Sequence, residues 1–163
     1  MSDWFARVGL PLSSEESAAL EALVGVVAPR ATPEIALLTS WSDVSHFIVA
    51  SERDATWWDQ EEEEREWLWT RATEQQSESA LLQRIASLHA GLDAAVRAAA
   101  AAAGAGGTTL VNEAAGSVLL AAQQDALAEM AGEPPGHRFR RKFALFARGR
   151  WPLGYHAARF VIF

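Results

Sequence analysis

Residues 78–103 read ESALLQRIASLHAGLDAAVRAAAAAA, and this stretch contains the cleanest apolar periodicity of the chain. Its large aliphatic residues recur at steps of four, three, four and four residues, at Leu81, Ile85, Leu88, Leu92 and Val96. Because an α-helix has about 3.6 residues per turn, these side chains fall on one face and form a single seam. The stretch therefore predicts a long helix that packs one side against the rest of the molecule.

The N-terminal part of the chain predicts a second helix with a recognisable start. Ser13 and Glu16 have the spacing of a capping box, in which each residue bonds the backbone N–H of the other. Apolar residues then follow at helical spacing up to Val27, and Pro29 ends the pattern. We therefore expect a helix from about residue 14 to residue 27.

The next segment contains shorter and more ambiguous patterns. Thr32 and Pro33 predict the start of a short buried helix that runs to Leu38. Residues 43–50 fit either a helix or a buried strand, and periodicity does not separate the two. Thr56 is expected to cap an acidic helix through Trp69, with carboxylates near its positive end.

The C-terminal third combines one more helix with a β element. A helix is predicted over residues 112–131, and the glycines and prolines of residues 132–136 end it. Residues 139–147 and 158–163 are rich in Phe, Val and Ile, and the Gly-containing segment 149–154 separates them. This pattern predicts a β-hairpin, with residues 43–50 as the candidate for a third strand.

These elements predict a mainly α (α+β) fold. We expect a helical bundle of about four to six helices with a small C-terminal β-hairpin packed on it. The 163 residues fit a single domain over residues 1–163. Within it, residues 1–133 form an acidic helical body and residues 137–163 form a basic β-hairpin element.

Charge is distributed unevenly along the chain, whose net charge is −7. Residues 134–163 carry seven basic side chains and no acidic one, whereas every Asp and Glu lies in residues 1–133. We expect these cations to pair with the acidic body, because guanidinium groups suit carboxylates. The acidic net charge of the chain argues against nucleic-acid binding.

The absence of Cys favours a cytoplasmic protein, and no segment is apolar enough to predict a membrane partner.

The most unusual local composition lies between residues 57 and 69, which contain four of the seven Trp residues beside a run of four Glu. One interpretation is a solvated acidic face on a helix whose Trp side chains belong to the core. The other is a recognition surface, with Trp as anchors and carboxylates that steer a basic partner. The candidate partner-binding residues are Trp57, Trp58, Asp59, Glu61, Glu62, Glu63 and Glu64.

Two His-carboxylate pairs leave a metal centre open as an alternative. Asp43 and His46 are three residues apart, and His89 and Asp93 are four apart, so each pair would share a helix face. The repeated Glu-x-x-His motifs of di-metal helical bundles are absent, and so is a His-x-x-x-His pattern. No Gly-x-Ser-x-Gly elbow or Cys nucleophile is present either. We therefore expect no enzyme activity, no cofactor and no metal.

The sequence thus favours a small acidic cytoplasmic protein that binds a basic protein partner. Inhibition of a basic toxin such as a nuclease, as by an immunity-type protein, is the sharpest hypothesis, because an acidic aromatic surface can cover a cationic cleft. The alternative is a metal-binding helical bundle or an enzyme that uses His46, His89 and carboxylates.

Overall fold

The computed structural model describes residues 3–30, 33–50, 55–156 and 158–163. Over these ranges the chain forms six helices and three strands, so the mainly helical prediction with a small β element is confirmed. The elements in chain order are α1 Ser14–Val27, β1 Glu34–Leu37, α2 Trp41–Ala50, α3 Ala55–Gln75, α4 Glu78–Ala102, α5 Gly107–Met130, α6 Arg138–Ala147, β2 Pro152–His156 and β3 Arg159–Ile162.

Helix α1 starts at the predicted capping box. The Ser13 hydroxyl accepts a hydrogen bond from the Glu16 backbone N–H at 3.2 Å. In return, the Ser13 backbone N–H donates to the Glu16 carboxylate at 2.7 Å. These two bonds satisfy backbone donors that the first turn of a helix otherwise leaves unpaired, which is why the helix begins here.

Helix α5 lies at the centre of the helical layer and packs against α3, α4 and α6. Its buried face is built mostly of small residues, including Ala114, Ala115, Ala121 and Ala122. Small side chains let neighbouring helices approach closely. The predicted seam of α4 packs inward, with Leu81, Ile85 and Val96 buried and Leu88 and Leu92 partly buried.

The segment 139–147, predicted as a strand, is instead helix α6. The prediction was wrong because the β propensity of Phe was weighted above the spacing of the apolar residues. Phe139, Phe143 and Phe146 follow one another at steps of four and three, which is a helical period. Phe139 and Phe146 are buried on this face. The C-terminal element 137–163 is therefore a helix followed by a hairpin.

The short helix predicted through Leu38 is also wrong, because Glu34–Leu37 form strand β1. Its predicted cap, Thr32, lies outside the described residues. Strand β1 runs parallel to β3, with Ile35 opposite Phe160 and Leu37 opposite Ile162. Residues 43–50 belong to α2, so they are a helix, and the third strand of the sheet is β1 rather than this segment.

Strand β3 is the centre of the three-stranded sheet, with the order β1-β3-β2. The expected second strand at residues 158–163 is confirmed by β3, whereas its antiparallel partner β2 occupies part of the segment predicted as the turn. Trp151 and Phe163 extend the ladder by exchanging both backbone hydrogen bonds, at 2.6 and 2.9 Å. The sheet packs on α1 and α6, with Phe160 and Ile162 in one buried cluster with Leu20, Leu23 and Leu145.

Candidate functional site

Helix α3 carries every candidate partner-binding residue, and its two faces differ sharply. One face is buried and contains Trp57, Glu61, Leu68 and Ala72. The opposite face is exposed and includes Asp59, Glu63, Glu66, Trp67, Thr70 and Glu74. A helix whose carboxylates occur on all sides must bury some of them, so each candidate has to be placed individually.

Trp57 belongs to the interior. It is 5% exposed, and its ring centroid lies 5.4 Å from that of Tyr155 and 5.8 Å from that of Phe160. The guanidinium carbon of Arg138 lies 4.9 Å from the Trp57 ring centroid, a cation–π contact. Trp58 is half-buried beside Lys142, whose Nζ is 6.0 Å from the ring centroid. Trp57 is therefore a core residue and not part of an exposed surface.

Glu61 is buried as well, and it forms an ion pair with Lys142 inside the protein. The Lys142 Nζ donates to the two Glu61 carboxylate oxygens at 2.9 and 2.6 Å. It also donates to the Gln124 side-chain oxygen at 3.2 Å. Burial lowers the pKa of Lys142, while the Glu61 charge opposes that shift. Because its carboxylate is committed to these contacts, Glu61 is not available to a partner.

Glu64 connects α3 to the first turn of α6. One of its carboxylate oxygens lies 3.1 Å from Nη1 of Arg138, and the other lies 2.8 Å from Nε2 of His137. Arg138 also approaches Glu61, with Nη2 at 3.7 Å from the carboxylate. The predicted acidic run thus uses two of its carboxylates to hold the basic helix α6.

Three of the five remaining cations of the C-terminal segment also pair with carboxylates. Arg140 lies 3.5 Å from Asp125, Arg148 lies 3.2 Å from Glu15, and Arg150 lies 2.9 Å from Glu16. Arg141 donates to the Gly136 carbonyl at 2.8 Å, and Arg159 is exposed. Five of the seven C-terminal cations therefore pair with carboxylates of residues 1–133, as expected from the charge pattern.

Four exposed carboxylates of α3 remain without such pairing, and with Trp67 they form what we call the acidic face: Asp59, Glu63, Glu66, Glu74 and Trp67. Over the described ranges none of these four acids forms an ion pair. Trp67 is 49% exposed, and the Arg71 guanidinium lies 4.8 Å from its ring centroid. An open groove lined by Gln60, Glu63, Glu64, Trp67 and Arg138 runs beside this face.

Two of the seven candidate residues lie on the acidic face, and three of its five members lie outside the candidate set. Asp59 and Glu63 belong to it, whereas Glu62 is exposed but pairs with Arg65. Glu66, Trp67 and Glu74 were not among the candidates. The steps of four and three from Asp59 through Glu63 to Glu66 could have indicated the shared face, because such residues are neighbours on a helix.

The alternative metal centre receives no support from the geometry. Asp43 accepts hydrogen bonds from Thr39 and Ser40 at the start of α2, and Asp93 pairs with Arg97. His46 is exposed, and His89 is half-buried on a different helix. In the part of the chain that the structure describes, no three His, Asp or Glu side chains converge as metal ligands.

One small cavity, with a volume of about 80 Å³, lies between the helices α2, α3, α5 and α6 and the start of β2. Phe47, Trp58, Leu120, Phe146 and Trp151 are among the residues that line it. It is smaller than the several hundred cubic ångströms, roughly 300–1,000 Å³, of ordinary small-molecule sites. Lys142 also reaches it, but its Nζ already contacts Glu61 and Gln124. Two further polar residues, Glu113 and Ser117, line it, so its small volume is what argues against an ordinary small-molecule ligand.

Comparison with protein families, with curated proteins and with solved structures finds no match to this chain. None of the helices in the described ranges has the length and apolar character needed to cross a bilayer. The geometry of α3 and its surroundings is therefore the basis for considering function.

Proposed function

We propose that this protein is a non-enzymatic, cytoplasmic binding protein that recognises a basic protein partner through the acidic face of α3. The sharper form of the proposal is an inhibitor or immunity-type protein that neutralises a basic toxin such as a nuclease. The observation that carries it is the unpaired state of four exposed carboxylates on the acidic face, in a chain where five of the seven C-terminal cations pair with other carboxylates.

Electrostatics supports a role in association. Carboxylates arranged along one exposed helix face create a local negative potential that attracts a cationic partner from beyond contact distance. Such surfaces raise association rates and exclude acidic competitors. The opposite face of the same helix offers an internal parallel, since Glu61 and Glu64 already hold Lys142 and Arg138.

Trp67 supplies the apolar contact that charge alone does not provide. Its side chain is large and rigid, so a partner can bury much area against it at low entropic cost. Arg71 contacts the ring at 4.8 Å, which orients the indole on the helix surface. We therefore assign Trp67 the anchor role that the sequence had suggested for Trp57 and Trp58, because Trp57 is buried and Trp58 is half-buried.

The test begins with affinity capture by the full-length chain and purification of the protein that binds to it. Association rates with that protein are then measured at low and high salt for the wild type and for a variant combining Asp59→Asn, Glu63→Gln and Glu66→Gln. We expect a roughly tenfold slower association at low salt and a weaker salt dependence. Trp67→Ala should instead speed dissociation.

A charge-matched control combines Glu21→Gln, Glu34→Gln and Glu78→Gln, three exposed acids outside α3. Equal slowing by both triple variants would show that net charge, and not the acidic face, drives binding. If the captured partner is a nuclease, titration with the wild type should abolish its activity, and the Trp67→Ala variant should require a higher concentration. A partner that is acidic, or a nuclease that stays active when bound, would contradict the proposal.

A further inference from the structure

His137 occupies an unusual position, because it caps the N-terminus of α6 through its imidazole ring. Its Nδ1 accepts a hydrogen bond from the Phe139 backbone N–H at 3.2 Å. Its Nε2 lies 2.8 Å from a carboxylate oxygen of Glu64, and the side chain is only 10% exposed. The ring also packs edge-on against Phe139, with centroids 5.4 Å apart.

These two contacts require one protonation state of the ring. An acceptor at Nδ1 must carry a lone pair, and a bond to a carboxylate from Nε2 requires a hydrogen there. Only the neutral tautomer with its proton on Nε2 satisfies both contacts at once. Ser, Thr, Asp and Asn are the usual capping residues, and Ser, Thr and Asn do not titrate in the physiological range, whereas imidazole does.

We propose that His137 is a proton-sensitive cap of α6, which stabilises the first turn of the helix when neutral and releases it when protonated. A second proton would occupy Nδ1 and face the Phe139 N–H, so the capping bond would be lost. The resulting imidazolium would also lie at the positive end of the α6 dipole. Both effects favour opening of the first turn as the pH falls.

The charged groups around the ring decide whether this effect prevails. From α3, Glu64 at 2.8 Å attracts an imidazolium, and Glu61 lies 3.7 Å from the neighbouring Arg138. From α6, Arg138 pairs with that same Glu64 carboxylate at 3.1 Å, and Arg141 donates to the neighbouring Gly136 carbonyl. Because Arg138 already offsets part of the Glu64 charge, the attraction that opposes release of the cap is weakened.

The consequence extends to α3, because the first turn of α6 holds Arg138 against Glu64. Opening of that turn would release Glu64 into the groove that it lines with Glu63 and Trp67. The proton sensitivity of the α6 cap does not depend on whether the acidic face binds a partner.

Amide hydrogen exchange measured by NMR tests this inference directly. Protection of the Phe139 amide, which bonds the ring, and of the Arg141 amide, which donates to the His137 carbonyl at 3.0 Å, is corrected for intrinsic exchange rates and compared at pH 7.5 and pH 5.5. We expect roughly a fivefold loss of protection in the wild type at the lower pH, as for the loss of one helix cap. Amides in the middle of α5 provide the internal reference and should change little.

Variants at position 137 separate the proton effect from simple loss of the residue. His137→Asn retains a capping oxygen that does not titrate, so protection should persist at both pH values. His137→Ala should show weak protection at both. Wild-type protection that is unchanged between the two pH values would overturn the inference. So would a His137→Asn variant with the pH dependence of the wild type, and this test remains decisive if His137→Ala fails to fold.

Discussion

Arg150 and Glu16 form a buried, two-pronged ion pair between residues 134 positions apart in the chain. The guanidinium Nε donates to one Glu16 oxygen at 2.9 Å, and Nη2 donates to the other at 3.0 Å. Arg150 is fully buried, and its remaining donors bond the carbonyls of Leu10 and Pro11, both at 2.7 Å. One side chain thus ties the start of β2 to the start of α1.

Replacement of Arg150 by Met should strongly destabilise the protein. The substitution removes the main counter-charge of the buried Glu16 and leaves only the partly exposed Arg7, at 3.3 Å, so we expect a loss near the low end of the roughly 3–5 kcal/mol typical of a broken buried pair. Urea denaturation measures the loss. Arg148→Met is the matched control, because Arg148 pairs with Glu15 at the surface and such pairs contribute at most about 1 kcal/mol. Similar losses in the two variants would contradict a special role for the buried pair.

The same pair predicts a pH dependence of stability. Hydrogen bonding to Arg150 holds the pKa of Glu16 well below its usual range, and bonds from Ser13 and Arg7 add to this effect while burial opposes it. A carboxyl whose folded pKa is depressed contributes stability above its unfolded pKa, and the contribution is lost as the pH falls. The stability difference between the wild type and Glu16→Gln should therefore shrink from about pH 5 downward. Denaturation at pH 7, 5, 4 and 3 checks this, and a constant difference would contradict it.

The Glu61–Lys142 pair calls for a double-mutant test. Lys142→Met leaves the buried Glu61 with only Arg138, at 3.7 Å, and Glu61→Leu leaves the buried Lys142 without a counter-charge, so either change alone should cost about 3–5 kcal/mol. The double variant removes both charges and should recover most of that loss, since apolar side chains can replace a buried pair. Thermal and urea unfolding of the four proteins give the coupling energy. Additive losses would show that the two side chains do not depend on each other.

Some of the fold could be predicted because its signals are local. The capping box of Ser13 and Glu16 and the aliphatic seam of α4 each specify their structure within a few residues. The pairing of the C-terminal cations with the acidic body also followed from the sequence, since no acid occurs in residues 134–163. Such features need no information about distant partners.

Other features depend on tertiary contacts and could not be predicted. Carboxylates occupy most sides of α3, so its sequence does not indicate that Trp57 and Glu61 face inward; the neighbouring helices α5 and α6 decide this. Strand β1 forms because β3 offers a parallel edge that residues 34–37 can join. Helix α6 differs from these two cases, because the steps of four and three between Phe139, Phe143 and Phe146 indicate a helix in the sequence itself, and its packing against α5 and α1 agrees with that period.

Two glycines offer a matched test of how the hairpin meets α3. Gly154 in β2 has a φ of +101°, and a Cβ there would lie 2.9 Å from Nε1 of Trp57. Gly154→Ala therefore combines backbone strain with a clash against a buried ring and should destabilise by about 1–3 kcal/mol. Gly116 lies in α5 with nothing within 4 Å of its hypothetical Cβ, so Gly116→Ala should stabilise by up to about 1 kcal/mol.

Chemical denaturation followed by circular dichroism measures both glycine variants against the wild type. Opposite signs are expected, because the two sites differ in φ and in the space around Cβ while the added methyl group is the same. Trp57→Phe in the Gly154→Ala background removes the indole Nε1 that the new Cβ would approach and should restore part of the lost stability. If it restores nothing, the positive φ of residue 154 alone accounts for the cost, and the close packing of β2 on α3 contributes little to it.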